Sequence, residues 1–170
     1  MIRRLLFLLA IGVAATLLLR TFVIEGIYVA STSMEPTLKM GSSFFLEKLT
    51  YMFREPKRND FIVFPSPETE NYDLIKRVIA VEGDTIEIRD KAVYINGVKL
   101  AENYVKHTRP REILVGDNLG PFEIPRGMLF VMGDNRDESE DSRDWKNPET
   151  GKHSYFIPVS AVKGKLILFF

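Results

Sequence analysis

The chain has 170 residues, enough for one substantial hydrophobic core with a small appended subdomain and too few for two full-sized domains. Its 23 lysines and arginines balance 23 aspartates and glutamates, so no basic field draws nucleic acid and no acidic excess keeps the chain unfolded. There is no cysteine, which removes thiol nucleophiles, zinc–thiolate centres and disulfides together and leaves the redox compartment open.

At the N-terminus, Arg3-Arg4 precede an almost wholly apolar run from Leu5 to Leu19, followed by Arg20-Thr21 and Phe22-Val23-Ile24. Leu5 to Ile24 approaches the roughly 20 residues that a membrane-spanning helix needs. Arg20, near the end of the run, can lay its aliphatic stem in hydrocarbon and its guanidinium among headgroups. The leading arginines favour a cytoplasmic N-terminus, which sends everything after Ile24 across the membrane. The expectation is a single-pass protein of the inner or plasma membrane, with its anchor over residues 1–24 and an extracytoplasmic domain over 25–170. A cleavable signal peptide fits less well: Ala30 is the nearest small-residue exit, and bulky Tyr28 fills the position two residues before it. A buried core helix also fits poorly, because the run lacks an amphipathic stripe and leads directly into strand-like sequence.

Phe22 to Val29 then reads as a short extended segment entering a turn, where Pro36 breaks regular structure. Ser43 to Leu49 and Asp60 to Phe64 are predicted strands, separated by the polar bend Arg54 to Asn59, and Pro65 and Pro67 close the second. The aromatic patches Phe44-Phe45 and Tyr51-Met52-Phe53 read as core by default, or as an interfacial surface if exposed near the anchor. Leu74 to Val81 and Thr85 to Arg89 are further strands around Glu82-Gly83-Asp84. Asn96-Gly97 between the alternating flanks Ala92 to Ile95 and Val98 to Leu100 predicts a hairpin with a type I′ turn. Ala101 to Pro121 reads as an irregular surface excursion, Met128 to Met132 as a returning strand and Ala161 to Phe170 as a closing one. Helical periodicity is scarce beyond the anchor, so the fold class is mainly β: an antiparallel sheet core with a small hairpin subdomain inserted over 85–127.

The chemistry starts at Ser33, on the turn Ser31-Thr32-Ser33-Met34-Glu35-Pro36-Thr37-Leu38. Its conventional activators are missing, since His107 and His153 lie in polar stretches without the context of a triad base or a metal-ligand pair. A lysine must be considered, and Lys76 follows Leu74-Ile75 in a strand-like run where burial would make its amine a usable base. The bland reading has Lys76 solvated on an outward face. Lys76 and Arg77 alternate across the strand, so only one of them is expected to point inward. The third segment, Gly133 to Arg143, read alone is an exposed charged loop; its interleaved arginines and lack of EF-hand spacing argue against a metal.

Taken together, Ser31-x-Ser33-Met34-x-Pro36-Thr37-Leu38, Lys57-Arg58-Asn59-Asp60, Asp73-x-Ile75-Lys76-Arg77-Val78 ending in Gly83-Asp84, and Gly133 to Arg143 resemble the type I signal peptidases. These are membrane-anchored Ser-Lys proteases that remove signal peptides from exported preproteins. The resemblance implies Ser33 as nucleophile, Lys76 as general base, and Ser31 joining the Ser33 N–H in an oxyanion hole. It implies that Ser139 orients the lysine and that the pairs Arg77–Asp134 and Asp141–Arg143 support the site. It assigns Ile27, Val29, Met34, Asp73, Leu74 and Ile75 to shallow pockets for small-x-small cleavage sequences, the substrate lying extended against Ile27 to Ala30 and the Asp73 to Lys76 edge. It calls for no cofactor and no metal, names preproteins and the lipid bilayer as partners, excludes nucleic acid and leaves association with the export machinery open.

Ala30 and Asn59 depart from the family's usual proline and glycine, and Asp144 to Pro158 is longer than its usual link, suggesting a rim loop. Two alternatives stand beside this expectation: a peptidase dedicated to pilin or conjugation-type maturation, and a catalytically silent membrane-tethered β domain.

Overall fold

The computed structural model describes residues 1–69 and 71–167. Helix α1, Ile2–Phe22, buries none of its residues and is long and apolar enough to cross a bilayer, about 30 Å at 1.5 Å per residue. It stops two residues short of the expected boundary: Ile24 already pairs with Glu47, opening strand β1, Ile24–Tyr28, against β2, Ser43–Glu47. Strand β2 ends before Leu49, because the Glu47 side chain turns to accept the Thr50 N–H at 2.9 Å, at the start of the single-turn helix α2, Thr50–Phe53.

The remaining strands are β3, Phe61–Pro65; β4, Asp73–Val81; β5, Thr85–Arg89; β6, Ala92–Ile95; β7, Val98–Lys99; β8, Leu119–Glu123; β9, Met128–Met132; β10, Ile157–Pro158; and β11, Gly164–Ile167. A seven-stranded antiparallel sheet runs in the order β1-β2-β11-β3-β4-β9-β10, and a four-stranded sheet in the order β7-β6-β5-β8. The mainly β, antiparallel fold expected from the sequence is therefore present.

The central strands are buried on both faces, so they read as apolar runs rather than as clean alternation. On β3, Phe61 and Val63 join Val29, Met34, Leu38, Leu46 and Leu166 in one core, while Ile62 and Phe64 join Val78, Leu129, Val131, Trp145 and Ile157 in another. A third core, from Ile79, Ala80, Phe130 and Met132 to Ile86, Ile88, Val93, Ile95 and Ile124, welds the small sheet to the large one.

The predicted hairpin turns at Asn96 and Gly97, whose φ values of 54° and 79° suit a type I′ turn. The Asn96 amide also accepts the Thr85 N–H at 2.7 Å and donates to Asp84 at 3.1 Å, tying the turn to the start of β5. Asn59, noted above as a departure from the usual glycine, takes φ 70°, the left-handed region that asparagine tolerates best after glycine.

The excursion from Ala101 to Pro121 needs correction on two points. Its end is strand β8, which sequence reasoning missed because Gly120-Pro121 reads as a break; β8 lies at the edge of its sheet, where a proline costs no ladder bond. Nor is it only surface: Asp117 is fully buried, and Lys91 bridges it at 3.2 Å to Asp137 at 2.6 Å in the Gly133 to Arg143 loop. The predicted closing strand begins at Gly164, after a 3-10 turn at Val159–Ala161, and its last three positions lie outside the described residues. Within the 144–158 segment, Trp145 is buried edge-on against Phe64, whereas residues 146–153 are exposed.

Candidate active site

The turn after β1 is pinned from below by its own apolar residues. Met34 and Leu38, one helical turn apart and joined by a 2.9 Å backbone bond, are buried in the β3 core, which leaves Ser31 and Ser33 at the surface of a cleft. Their hydroxyl oxygens lie 3.1 Å apart, and the Ser33 N–H has no hydrogen-bond partner among the described residues. One turn thus carries two hydroxyls in contact and an unpartnered N–H, donor types that can stabilise an oxyanion.

Lys76 comes from the middle of β4, paired with Ile62 of β3, and is 2 % exposed. Its Nζ donates to Ser139 Oγ at 2.9 Å, and no carboxylate lies within ion-pair distance of it among the described residues. Burial pushes its amine down to about 8; Asp141 opposes that shift and Arg143 assists it. Ser139 passes the contact on, donating to Asp141 Oδ2 at 2.9 Å. The charge excluded from direct contact with the lysine therefore stands one hydroxyl behind it. Asp141 is fully buried but accepts two bonds from the Arg143 guanidinium, at 2.8 and 2.9 Å, the Arg143 N–H at 3.2 Å and the Gly133 N–H at 3.0 Å. Arg143 offsets the burial of Asp141 and keeps its carboxyl below the usual range.

The expectation that only one of Lys76 and Arg77 points inward fails, since Arg77 is 6 % exposed on the opposite face. The far face is covered by the excursion: Arg77 stacks between the Phe61 ring, 4.3 Å from its centroid, and the Tyr104 ring, at 3.6 Å. It donates to Asp134 at 2.8 and 2.6 Å, a bidentate pair that anchors the start of the Gly133 to Arg143 loop.

Ser31, Ser33, Lys76, Ser139 and Arg143 line one cleft of about 560 Å³. An adjoining groove of about 520 Å³ is lined by Ile27, Val29, Met34, Asp73, Leu74 and Ile75 together with Ser31 and Ser33. Thus the residues assigned to substrate pockets are brought together beside the serines, with apolar walls.

Neither histidine lines the cleft: His107 meets Asp137 at 3.3 Å, and His153 stacks on Tyr155. Sequence reasoning missed Tyr104, Lys91 and Asp117, which hold the loop from outside its own segment. It also gave no role to Asp144, a cleft residue whose carboxyl is raised to about 6 by burial and by neighbouring Asp141. No spacing in the sequence signals contacts that cross so many intervening residues.

Comparison with known proteins matches residues 2–170 to the family described as signal peptidase, peptidase S26. The chain is 41% identical over 138 residues to a signal peptidase I of Bacillus licheniformis, covering 79% of this chain and 74% of that protein. It is 43% identical over 145 residues to a probable signal peptidase I-1 of Synechocystis, covering 81% and 71%. The crystal structure of a signal peptidase I from Enterococcus faecalis superposes with a TM-score of 0.50 at 35% identity, covering 67% of this chain and 98% of that one. Family, relatives and fold agree: the chain belongs to the signal peptidase family, peptidase S26, and is a serine endopeptidase of the signal peptidase I kind.

Proposed function

We infer that this endopeptidase is held in a membrane by α1, with its catalytic domain on the extracytoplasmic side, and cuts preproteins after small-x-small sequences with Ser33 and Lys76 as a dyad. The observation that carries this reading is a buried lysine held by a serine, with no carboxylate in ion-pair contact among the described residues, in a cleft that Ser33 also lines.

The signal peptide lies extended in the apolar groove, its small side chains facing Ile27, Val29, Met34 and Ile75. Ser33 Oγ attacks the scissile carbonyl carbon as Lys76 Nζ takes the hydroxyl proton. The Ser33 N–H and the Ser31 hydroxyl receive the oxyanion. As the tetrahedral intermediate collapses, the C–N bond breaks and Lys76 returns the proton to the leaving amine, which departs with the mature chain. Water then attacks the ester, again with Lys76 as base, releasing the signal peptide and restoring Ser33. Arg77–Asp134 and Asp141–Arg143 hold the loop that presents Ser139.

The test uses full-length protein in detergent with several unrelated preproteins carrying Ala-x-Ala sites. Wild type cleaves after the second alanine, whereas Ser33→Ala and Lys76→Arg do not; arginine stays protonated and cannot serve as a base. Full activity of Lys76→Arg would defeat the dyad, and cleavage of one preprotein alone would make the enzyme a dedicated one.

A further inference from the structure

One polar side chain beside the nucleophile takes no part in the chemistry above. Asn135 is 1 % exposed, and it grips the turn that carries Ser33 at two points. Its backbone N–H donates to the Ser33 carbonyl at 3.0 Å, and its side-chain Nδ2 donates to the Thr32 carbonyl at 3.2 Å. The Thr32 carbonyl also accepts the Glu35 N–H at 3.1 Å, so two donors hold that oxygen.

The Thr32 carbonyl and the Ser33 N–H belong to one trans peptide unit, in which C=O and N–H are rigidly coplanar and point opposite ways. Clamping the oxygen therefore aims the N–H. That N–H is without a partner among the described residues, Ser33 lines the catalytic cleft, and the proposed function makes this N–H an oxyanion donor. A bond accepted by the carbonyl also polarises the amide and makes its N–H a better donor. Asn135 is itself braced from behind, since the Lys106 N–H donates to the Asp134 carbonyl at 2.8 Å and the Arg136 N–H donates to the Lys106 carbonyl at 2.9 Å.

A second observation argues that the grip serves more than folding. Asn135 Oδ1 is buried with no hydrogen-bond partner among the described residues. An orphan acceptor destabilises the folded state, and an apolar side chain of similar size would avoid that cost. What asparagine retains, and such a residue would lose, is the Nδ2 donor on Thr32.

We propose that Asn135 is a positioning residue that orients the Thr32–Ser33 peptide so that its N–H meets the transition-state oxyanion. This rests on Ser33 being the nucleophile, as inferred above. The donor contributes in the transition state and little to ground-state binding, so its loss reads out in kcat rather than KM. Misaiming one oxyanion donor costs less than the roughly 100- to 1000-fold of deleting one, and a loss of about 10- to 100-fold is expected.

The test compares wild type with Asn135→Leu, which removes the Nδ2 donor and the orphan acceptor together, and with Asn135→Ala, should leucine fail to pack. Each is assayed at full length in detergent for kcat and KM on one preprotein, for thermal stability, and for binding of a peptide boronate ending in alanine, which forms a tetrahedral adduct. The expected result is a 10- to 100-fold fall in kcat, KM within about two-fold, boronate binding weakened in step with kcat, and a melting temperature no lower than wild type for the leucine variant. An unchanged kcat, a loss carried wholly by KM, or a loss accounted for by unfolded protein would each overturn the proposal while wild-type cleavage stands. If wild type and Ser33→Ala are equally inert, the proposed function fails and this inference falls with it.

Discussion

Lys76 and Ser139 meet at 2.9 Å, and the hydroxyl that receives the amine donates its own proton to Asp141. A neutral group thus holds the amine in place, while the nearest anion is kept at one remove and balanced by Arg143. In Ser139→Ala the amine stays buried but loses its anchor and gains a free rotor. We expect kcat/KM to fall by about 10- to 100-fold with little change in melting temperature, measured by preprotein cleavage alongside thermal unfolding. Wild-type activity in Ser139→Ala would remove any orienting role for the hydroxyl.

The amine of Lys76 works only when neutral, and burial brings it down to about 8. At pH 7 roughly one molecule in ten then carries the base form, against about one in three thousand for an ordinary lysine. Activity should rise through an acid limb centred near pH 8, read from kcat/KM between pH 5.5 and 10. A limb near pH 6 would assign the titration to another group, such as Asp144, a cleft residue raised to about 6.

The same burial has a cost in stability. Between pH 8 and 10.5 the unfolded chain binds a proton at Lys76 that the folded protein does not, so stability rises with pH across that window. Below pH 8 the penalty is full, about 3 kcal/mol. Lys76→Met keeps the stem and removes the charge. It should be inactive yet more stable than wild type at pH 7, by a margin that shrinks toward pH 10, followed by urea unfolding in detergent at each pH. A variant less stable than wild type at pH 7 would show that the neighbourhood does not disfavour the charged amine.

How much of this was legible beforehand depends on how local the determinant is. The apolar N-terminal run, the Asn96-Gly97 turn and the Ser33 and Lys76 segments carry their signals within a few residues, by period, turn chemistry or motif order. Arg77 was misjudged because strand alternation says which face a side chain takes and nothing about what covers it; Tyr104, 27 positions away, does the covering. Strand β8 was hidden by Pro121, since only the sheet order shows that it lies at an edge. The Asp141 charge behind Ser139 was in view as a residue, but its hydrogen bond depends on how the loop closes.

Removing one partner of the buried pair should be worse than removing both. Asp134→Ala strands the Arg77 guanidinium between two rings, and a loss of about 3–5 kcal/mol is expected. Pairing it with Arg77→Met should recover much of that loss, because the long apolar side chain still fills the space between Phe61 and Tyr104. Chemical denaturation of the single and double variants decides the point: additive losses would mean that the pair acts as two independent residues.

Gly133 tests how closely the two halves of the site approach. Its φ is not in the left-handed region, so the constraint is space alone: a Cβ would sit 2.5 Å from both the Ser33 carbonyl oxygen and Ser139 Cβ. Ser139 is a short side chain fixed by its bonds to Lys76 and Asp141, and the Ser33 oxygen is backbone held by Asn135. Neither can yield without moving a group that the proposed reaction uses. Gly133→Ala should therefore lose activity by more than about 100-fold while losing only about 1–3 kcal/mol of stability, the usual cost of overpacking a tight site. Adding Ser139→Ala removes only the hydroxyl and leaves the clashes with Ser139 Cβ and the Ser33 carbonyl oxygen, so activity should not return. Its recovery in that double variant would mean that the Ser33 turn tolerates displacement.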